Sequence, residues 1–149
     1  SALPGRFERV QLKVYGNAYD VIYDVAHNPA AAAYLDLQLS ETPVPGKTVA
    51  LAGFLADKAI QEALNAVSAS VDHLILTPLE GARSASAEQL KAVSSTEGVQ
   101  KVNVMGSVKQ ALELAFSLML PGDRLVVFGS FYTVGQVKQH LLGQKVLLP

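Results

Sequence analysis

The chain has no cysteine and little charge, and these absences exclude several classes of protein. With no cysteine, disulfides, thiolate zinc sites and a cysteine nucleophile are excluded, which agrees with a cytoplasmic protein. The net charge of −1 provides no electrostatic footprint for nucleic acid or for an anionic membrane. The three histidines lie far apart in the sequence, so they form no recognisable metal-ligand cluster.

Long hydrophobic runs are also missing, although half of the residues are hydrophobic. No stretch of about 18 apolar residues suggests a membrane span, and no export signal is recognisable at the start. A length of 149 residues is enough for one domain with a real core. We therefore expect a single domain over residues 1–149, with no membrane or nucleic-acid partner.

Apolar patterns predict strands along the whole chain. Val10, Leu12 and Val14 alternate with polar residues, as in a half-exposed strand over residues 10–14. The turn signal Gly16-Asn17 and the apolar run 21–23 complete an antiparallel hairpin, with residues 10–14 at the sheet edge. Further strands are predicted at 48–52, 73–77, 99–104 and 125–128.

Helices are predicted between these strands. Residues 28–39 place Ala30, Ala33, Tyr34 and Leu37 on one helical face. Asp57 is suited to cap a second helix, and Ser86 with Gln89 and Ser107 with Gln110 are capping-box pairs. The expected inward residues of the four later helices are Ile60, Ala63, Leu64 and Val67; Leu90 and Val93; Val108, Ala111, Leu112, Ala115 and Met119; and Val134, Val137 and Leu141.

The alternation of apolar strands with helices over short connections determines the expected fold class. It predicts an α/β protein with a mainly parallel sheet, an antiparallel edge strand and helices on both faces. This is a Rossmann-like architecture. In such sheets ligands bind at the carboxyl ends of the strands, so residues that follow strands are the first candidates for a site.

Residues 24–29 read Asp-Val-Ala-His-Asn-Pro and follow the apolar run 21–23. Asn28 is suited to cap the next helix, and Pro29 suits the first helical position because its missing N–H is not needed there. The helix start then offers free N–H groups and partial positive charge to an anion. From these residues alone, Asp24 and His27 are equally compatible with a ligand site and with a purely structural loop.

Other candidates carry a structural alternative. Pro45-Gly46-Lys47-Thr48 resembles the end of a phosphate-binding loop, but Glu41 stands where that motif needs glycine and a strand follows, so a turn is predicted. Arg6 is suited to bind phosphate or carboxylate, or is simply exposed. Lys58 and the loop 78–84 are open to the same two interpretations.

The last strand is followed by Gly129-Ser130-Phe131-Tyr132-Thr133. Gly129 permits close backbone approach, and Ser130 and Tyr132 supply hydroxyl groups to this edge. The alternative is that Ser130 caps the helix and Tyr132 packs. His73 and His140 are predicted to be structural or exposed.

Taken together, these segments resemble one family, the bifunctional dihydrofolate synthase/folylpolyglutamate synthase of the Mur ligase superfamily. The resemblance covers nearly the whole chain but only the family's C-terminal domain. One departure is Ala59, where the family commonly has a second acid after the lysine. The segments that carry the resemblance are Leu3 to Glu8, Asp24 to Pro29, Asp57-Lys58, Pro78 to Gly81 and Gly129 to Val134.

The resemblance implies an ATP-dependent ligase that joins L-glutamate to dihydropteroate or tetrahydrofolate through an acyl phosphate. It places Arg6 near the ATP phosphates, Asp24 on the ribose and His27 beside the phosphate and the incoming glutamate. Ser130 and Tyr132 would lie on the glutamate side. It also implies a separate N-terminal ATPase domain, not in this chain, which carries the phosphate-binding loop and the Mg²⁺ ligands.

Three functions follow as hypotheses. The first is the C-terminal domain of a cytoplasmic folate ligase, which is inactive by itself because the ATPase domain is missing. The second is the same domain of another Mur-type amide ligase, such as one for peptidoglycan precursors. The third, from a different class, is a stand-alone nucleotide-binding or interaction module without catalysis.

Overall fold

Strands and helices alternate in the computed structural model, which describes residues 3–14, 16–94, 98–99 and 101–143. The predicted single domain, residues 1–149, therefore includes the residues 1–2, 15, 95–97, 100 and 144–149, which lie outside the described ranges. In chain order the elements are β1 (Glu8–Val14), β2 (Asn17–Tyr23), α1 (Pro29–Glu41), β3 (Thr48–Ala52), α2 (Ile60–Val67), a 3₁₀ turn (Ser68–Ser70), β4 (His73–Leu76), α3 (Ala87–Ala92), β5 (Lys101–Val104), α4 (Val108–Leu118), β6 (Arg124–Phe128) and α5 (Phe131–Gly143).

The described strands form one sheet in the order β1-β2-β6-β3-β4-β5. Only the β1–β2 pair is antiparallel, with Glu8 opposite Tyr23 and Val14 opposite Asn17. The pairs β2–β6, β6–β3, β3–β4 and β4–β5 are parallel. The prediction of a mainly parallel sheet with an antiparallel edge strand is confirmed.

Neighbouring residues of each central strand pack into two separate hydrophobic cores. Val126 and Phe128 belong to the core that α1, α2 and α3 cover. Leu125 and Val127, on the opposite face, belong to the core that α4 and α5 cover. Because both faces are buried, the central strands β3, β4 and β6 are apolar at every position after the first. The prediction of helices on both faces is confirmed.

The predicted strands match the observed ones most closely where the apolar run is continuous. The predicted strand 48–52 coincides with β3, and 125–128 differs from β6 only by the additional Arg124. The hairpin is confirmed, with 10–14 inside β1. The strand predicted at 99–104 begins at Lys101, and residue 100 lies outside the described part of the chain.

Three of the four predicted side-chain caps, those of Asn28, Ser86 and Ser107, are confirmed. The Oγ atoms of Ser86 and Ser107 accept bonds from the amides three residues later, at 3.1 and 3.2 Å. The Asp57 cap is wrong, because α2 begins only at Ile60 and its N-cap residue is Ala59. The amides of Lys58 and Ile60 bond to Leu55 O and Lys58 O in a turn, which delays the helix start.

Helix α1 buries a different face from the one the periodicity suggested. Ala32, Leu35 and Leu39 are fully buried, whereas Tyr34 and Leu37 are 62% and 51% exposed. Residues 30–35 are apolar on all sides of the helix, so the pattern alone did not distinguish the inward face from the outward one.

Candidate functional site

The carboxyl ends of the parallel strands bring the predicted site segments to one edge of the sheet. Asp24 follows β2, and Gly129 follows the neighbouring strand β6. Because β1 is antiparallel to β2, the segment before Glu8, including Arg6, returns to the same edge. We call this the carboxyl edge; it also includes the loops after β3 and β4.

Asp24 connects two chain segments through its carboxylate. Its Oδ2 accepts the N–H of Phe7 at 3.0 Å, and its Oδ1 accepts the N–H of Ala26 at 2.8 Å. Burial raises the pKa of Asp24, while the bonds from Ala26 and Phe7 and the nearby charge of Arg6 act in the opposite direction. The sequence did not predict this bridging role, because the contact joins residues 17 positions apart.

Arg6 lies on a tight loop next to Asp24. Its side chain is exposed, and its neighbours Gly5 and Phe7 both have positive φ, +75° and +44°. For a residue such as Phe7 this conformation is strained, and it persists only where surrounding contacts maintain it. Here the contacts are the Asp24 carboxylate and the bond from Val25 N to Gly5 O, 2.7 Å long.

His27 lies between Asp24 and the start of α1. The Asn28 side chain accepts the N–H of Ala31 at 2.8 Å, so the predicted cap is confirmed, with Pro29 opening the helix. His27 is exposed, and its Nδ1 lies 3.1 Å from Val25 O. Since a carbonyl oxygen only accepts, this contact requires a proton on Nδ1. In the neutral ring Nε2 then has the free lone pair.

Ser130 directly precedes α5 and is 5% exposed. Its Oγ accepts the N–H of Thr133 at 3.0 Å and lies 2.8 Å from Thr133 Oγ1, which donates to Gly53 O at 2.7 Å. Ser130 therefore caps the helix, which was the structural alternative for this residue. Its predicted contact with glutamate stays a prediction.

Gly129 allows β6 to approach the loop after β3. A Cβ at this position would lie 2.0 Å from Gly53 O, and its φ is +121°. No side chain fits here without movement of the backbone. Strands β6 and β3 thus end in close contact. The helices that follow them, α5 and α2, lie on opposite faces of the sheet. Open α/β sheets bind ligands in the crevice at such a point.

Tyr132 contacts the loop 78–84. Its hydroxyl accepts a bond of 3.3 Å from Arg83, whose guanidinium carbon lies 5.9 Å from the ring centroid. The side chain of Gln136 holds the same loop by bonding both N and O of Glu80 at 3.0 Å. Sequence reasoning noted the charged loop but missed this attachment to α5.

A groove of about 420 Å³ lies beside this loop, lined by Leu55, Ala56, Asp57, Lys58 and Arg83. Lys58 and Arg83 give it two cationic groups.

The predicted site residues fall into two groups along this edge. The structure brings Arg6, Asp24 and His27 together at the end of β2, with Ser130 at the end of the adjacent strand. Tyr132 and Lys58 border a separate part of the same edge.

Pro45-Gly46-Lys47-Thr48 lies at the opposite edge, where the parallel strands begin. The segment precedes and enters β3 and forms bends, so the predicted turn is confirmed. The Lys47 amide and ammonium both bond to Asp123, at 2.7 and 3.0 Å. This lysine is therefore engaged in a structural ion pair, far from the carboxyl edge.

Two further findings concern other kinds of site. Within the described residues, no three His, Cys, Asp or Glu side chains are grouped so that they could hold a metal ion. In that same part of the chain, no helix has the length and apolar character needed to cross a membrane. His73, one of the two histidines predicted to be structural or exposed, is 9% exposed, and its Nε2 lies 2.6 Å from Asn103 Oδ1.

Comparison with known proteins identifies relatives of this chain. A dihydrofolate synthase/folylpolyglutamate synthase of Escherichia coli strain K12 is 38% identical over 137 residues, which are 92% of this chain and 30% of that protein. The structure of E. coli FolC in complex with DHPP and ADP superposes with a TM-score of 0.82 at 36% identity, covering 96% of this chain and 32% of that one.

A second solved structure, a bifunctional folylpolyglutamate synthase/dihydrofolate synthase with Mn, AMPPNP and L-glutamate bound, gives a TM-score of 0.79 at 37% identity. It is matched over 95% of this chain and 32% of that one. The chain thus spans about a third of the length of these relatives. The family described as "Mur ligase, glutamate ligase domain" matches residues 5–131. Since that match covers most of the chain, the protein belongs to the glutamate ligase domain family of the Mur ligases.

Proposed function

We propose that this chain is the glutamate-ligase part of an ATP-dependent ligase that adds L-glutamate to dihydropteroate or tetrahydrofolate. The observation that carries the proposal is the grouping of Arg6, Asp24 and His27 at the carboxyl edge of a Mur ligase domain. The similarity to folate enzymes supports the choice of substrate. A cytoplasmic location stays a prediction.

The proposed reaction has two steps. ATP supplies a phosphoryl group to the carboxylate of the folate substrate, which releases ADP and leaves an acyl phosphate. The glutamate amine then attacks the acyl carbon, its proton is removed, and inorganic phosphate leaves as the amide forms. Both steps depend mainly on positioning and on stabilisation of negative charge.

Arg6 and Asp24 fit the nucleotide role by their chemistry. The exposed guanidinium of Arg6 suits phosphate oxygens, which it can bind in pairs. Each Asp24 oxygen accepts one backbone N–H and retains a lone pair for a ribose hydroxyl. We assign Arg6 to the phosphates and Asp24 to the ribose.

His27 fits a role beside the incoming amine. With Nδ1 donating to Val25 O, Nε2 is free to accept a hydrogen bond or a proton from the glutamate ammonium. Ser130 and Tyr132 are assigned to the glutamate side with less support. The Ser130 hydroxyl already serves the start of α5, and Tyr132 already bonds Arg83.

The remaining machinery is proposed to come from an N-terminal ATPase domain of the same protein. That domain would hold the phosphate-binding loop and the Mg²⁺ ligands, because the one segment of this chain that resembles such a loop pairs its lysine with Asp123. We therefore expect the purified 149-residue chain to show no glutamate-dependent ADP release.

The direct test is a coupled ADP-release assay on the full-length protein that contains this chain. Turnover with glutamate plus dihydropteroate or tetrahydrofolate, and none with UDP-linked peptidoglycan precursors, is the expected result. Turnover only with UDP-linked acceptors would assign a peptidoglycan ligase instead. No turnover with any acceptor, together with nucleotide binding, would assign a non-catalytic module.

Asp24→Ala in the full-length protein tests the nucleotide role. We expect the KM for ATP to rise about tenfold, which corresponds to the loss of one charge-assisted hydrogen bond. The domain should stay folded but lose about 1 kcal/mol of stability, because Phe7 N and Ala26 N lose their acceptor. Wild-type kinetics in this variant would contradict the assignment of Asp24 to the ribose. Asp20→Ala, a partly exposed carboxylate of β2 that bonds Gln11, is the control.

A further inference from the structure

An ion pair connects the last helix to the loop that carries Arg6. Lys138 Nζ of α5 lies 2.7 Å from Glu8 Oε1 at the start of β1, although the two residues are 130 positions apart. Their side chains are 34% and 22% exposed. The Lys138 ammonium also lies 4.9 Å from the centroid of the buried Tyr23 ring. A cation over an aromatic face is attracted to it, so the lysine is held from two sides.

The Glu8 oxygen that binds Lys138 has a second partner. The same Oε1 accepts the N–H of Gly5 at 3.0 Å. The bond from Lys138, opposed by burial and assisted by the Gly5 bond, lowers the pKa of Glu8. Lys138 of α5 therefore stabilises both the ionised form of the Glu8 carboxylate and its position beside the Gly5 amide.

Arg6 lies between two carboxylate anchors. Glu8 holds the amide of Gly5 on one side, and Asp24 holds the amide of Phe7 on the other. Both anchored residues have positive φ, so the loop depends on its anchors to keep this conformation. Asp24 belongs to the proposed site itself, whereas Lys138 bonds Glu8, and Glu8 reaches the loop through the amide of Gly5.

We propose that Lys138 is a positioning residue, which through Glu8 holds the Leu3–Phe7 loop in the conformation that presents Arg6 at the carboxyl edge. The catalytic part of this inference rests on the proposed function, in which Arg6 binds the nucleotide phosphates. Partly exposed ion pairs contribute little to overall stability. The effect of removing Lys138 therefore falls on the placement of Arg6 rather than on folding.

The test compares Lys138→Met, Arg6→Ala and the double variant in the full-length protein. Lys138→Met keeps the aliphatic stem and removes the charge. We expect it to raise the KM for ATP about fivefold, with kcat and the thermal midpoint near those of the wild type, and Lys138→Arg to restore the KM. In the Arg6→Ala background the same change should have no further effect, because the group being positioned is gone.

Lys109→Met, which removes an exposed lysine of α4, is the matched control and should change nothing. An unchanged KM in Lys138→Met, or an equal fivefold rise in both backgrounds, would overturn the inference. Hydrogen–deuterium exchange of residues 3–8 is the readout that is independent of activity. Faster exchange than in the wild type for Lys138→Met, but not for Lys109→Met, supports the loop contact even if the wild type proves to have no folate ligase activity. Exchange of residues 3–8 in Lys138→Met at the wild-type rate overturns the inference.

Discussion

The two edges of the sheet use their polar residues in opposite ways. At the amino edge, where the parallel strands begin, Asp123 and Arg124 are buried and bonded within the chain. Asp123 accepts bonds from Leu120 N, Lys47 N and Lys47 Nζ. At the carboxyl edge Arg6 and His27 are exposed, and Asp24 holds the loop that carries Arg6.

Arg124 shows most clearly what the amino edge does. Its guanidinium donates to Thr48 Oγ1 at 2.8 Å, to Leu39 O at 3.1 Å and to Thr42 O. It thereby satisfies carbonyl groups at the end of α1, which a helix leaves without partners. Burial lowers the pKa of Arg124, and the nearby Arg9 acts in the same direction. These three bonds are all made within the chain, so this charge has a structural role.

Structural and functional polar groups in this fold differ in burial and in whether their bonds are all made inside the chain. A buried group with all its bonds inside the chain stabilises the protein, and its removal is expressed as a loss of stability. An exposed group on a braced loop is available to a ligand, and its removal is expressed in binding or turnover. The following predictions test that separation.

The largest loss of stability is expected from Arg124→Met. The change removes the Arg124 donor from Thr42 O and Thr48 Oγ1 and leaves Leu39 O with only the N–H of Thr42. Polar groups that lose their partner away from water are costly. We expect the free energy of unfolding of the 149-residue chain to fall by about 3 kcal/mol, as measured by urea denaturation. The control is Arg9→Met, an exposed arginine of β1, for which less than about 0.5 kcal/mol is expected. Equal effects in the two variants would show that burial does not distinguish the two arginines.

An intermediate effect is expected from Asp123→Asn, which removes the charge but keeps one acceptor oxygen. Burial by itself would raise the pKa of Asp123, but the bonds from Leu120 and Lys47 together lower it. We expect a loss of about 2 kcal/mol at pH 7. Because the folded-state pKa lies below the ordinary value of 3.8, this stabilisation is complete above that pH and disappears as the pH falls through the folded-state pKa.

Urea denaturation at several pH values measures this difference directly. The gap between wild type and Asp123→Asn should be constant from about pH 5 to pH 7 and should narrow below about pH 4. A gap that widened as the pH fell would contradict the assigned direction of the Asp123 pKa shift.

The smallest change in stability is expected from His27→Ala at the carboxyl edge. Because His27 is exposed, the free energy of unfolding should change by less than about 0.5 kcal/mol. In the full-length protein kcat should fall at least about a hundredfold, the lower end of the contribution of a positioned base. His140→Ala in α5 is the control and should leave kcat unchanged. A wild-type kcat in His27→Ala would remove His27 from the site.

The sequence predicted the elements well where local patterns were strong. The apolar run of β3 was predicted at its observed bounds, and Ser86 and Ser107 cap the helices they were expected to cap. Local patterns gave wrong predictions where the same residues suit more than one arrangement. Asp57 lies in a turn instead of a cap position, and the all-round apolar start of α1 concealed its buried face.

The sequence singled out the residues of the candidate site but did not predict their contacts. Position after a strand and a family resemblance were enough to single out Arg6, Asp24, His27 and Ser130. Neither could reveal that Asp24 bridges to Phe7 or that Ser130 is occupied at the start of α5. Such contacts depend on which strands become neighbours in the sheet.

Local sequence patterns alone predicted the alternation of strands and helices, three helix caps and the edge at which the candidate residues lie. These follow from local periodicity and from the short range of capping bonds. Only the tertiary structure decided that Lys138 meets Glu8, and Arg124 the end of α1. Residues so far apart in the chain meet only after β1, β2 and β6 have paired and the helices have packed on both faces, because burial of the apolar faces determines which elements become neighbours.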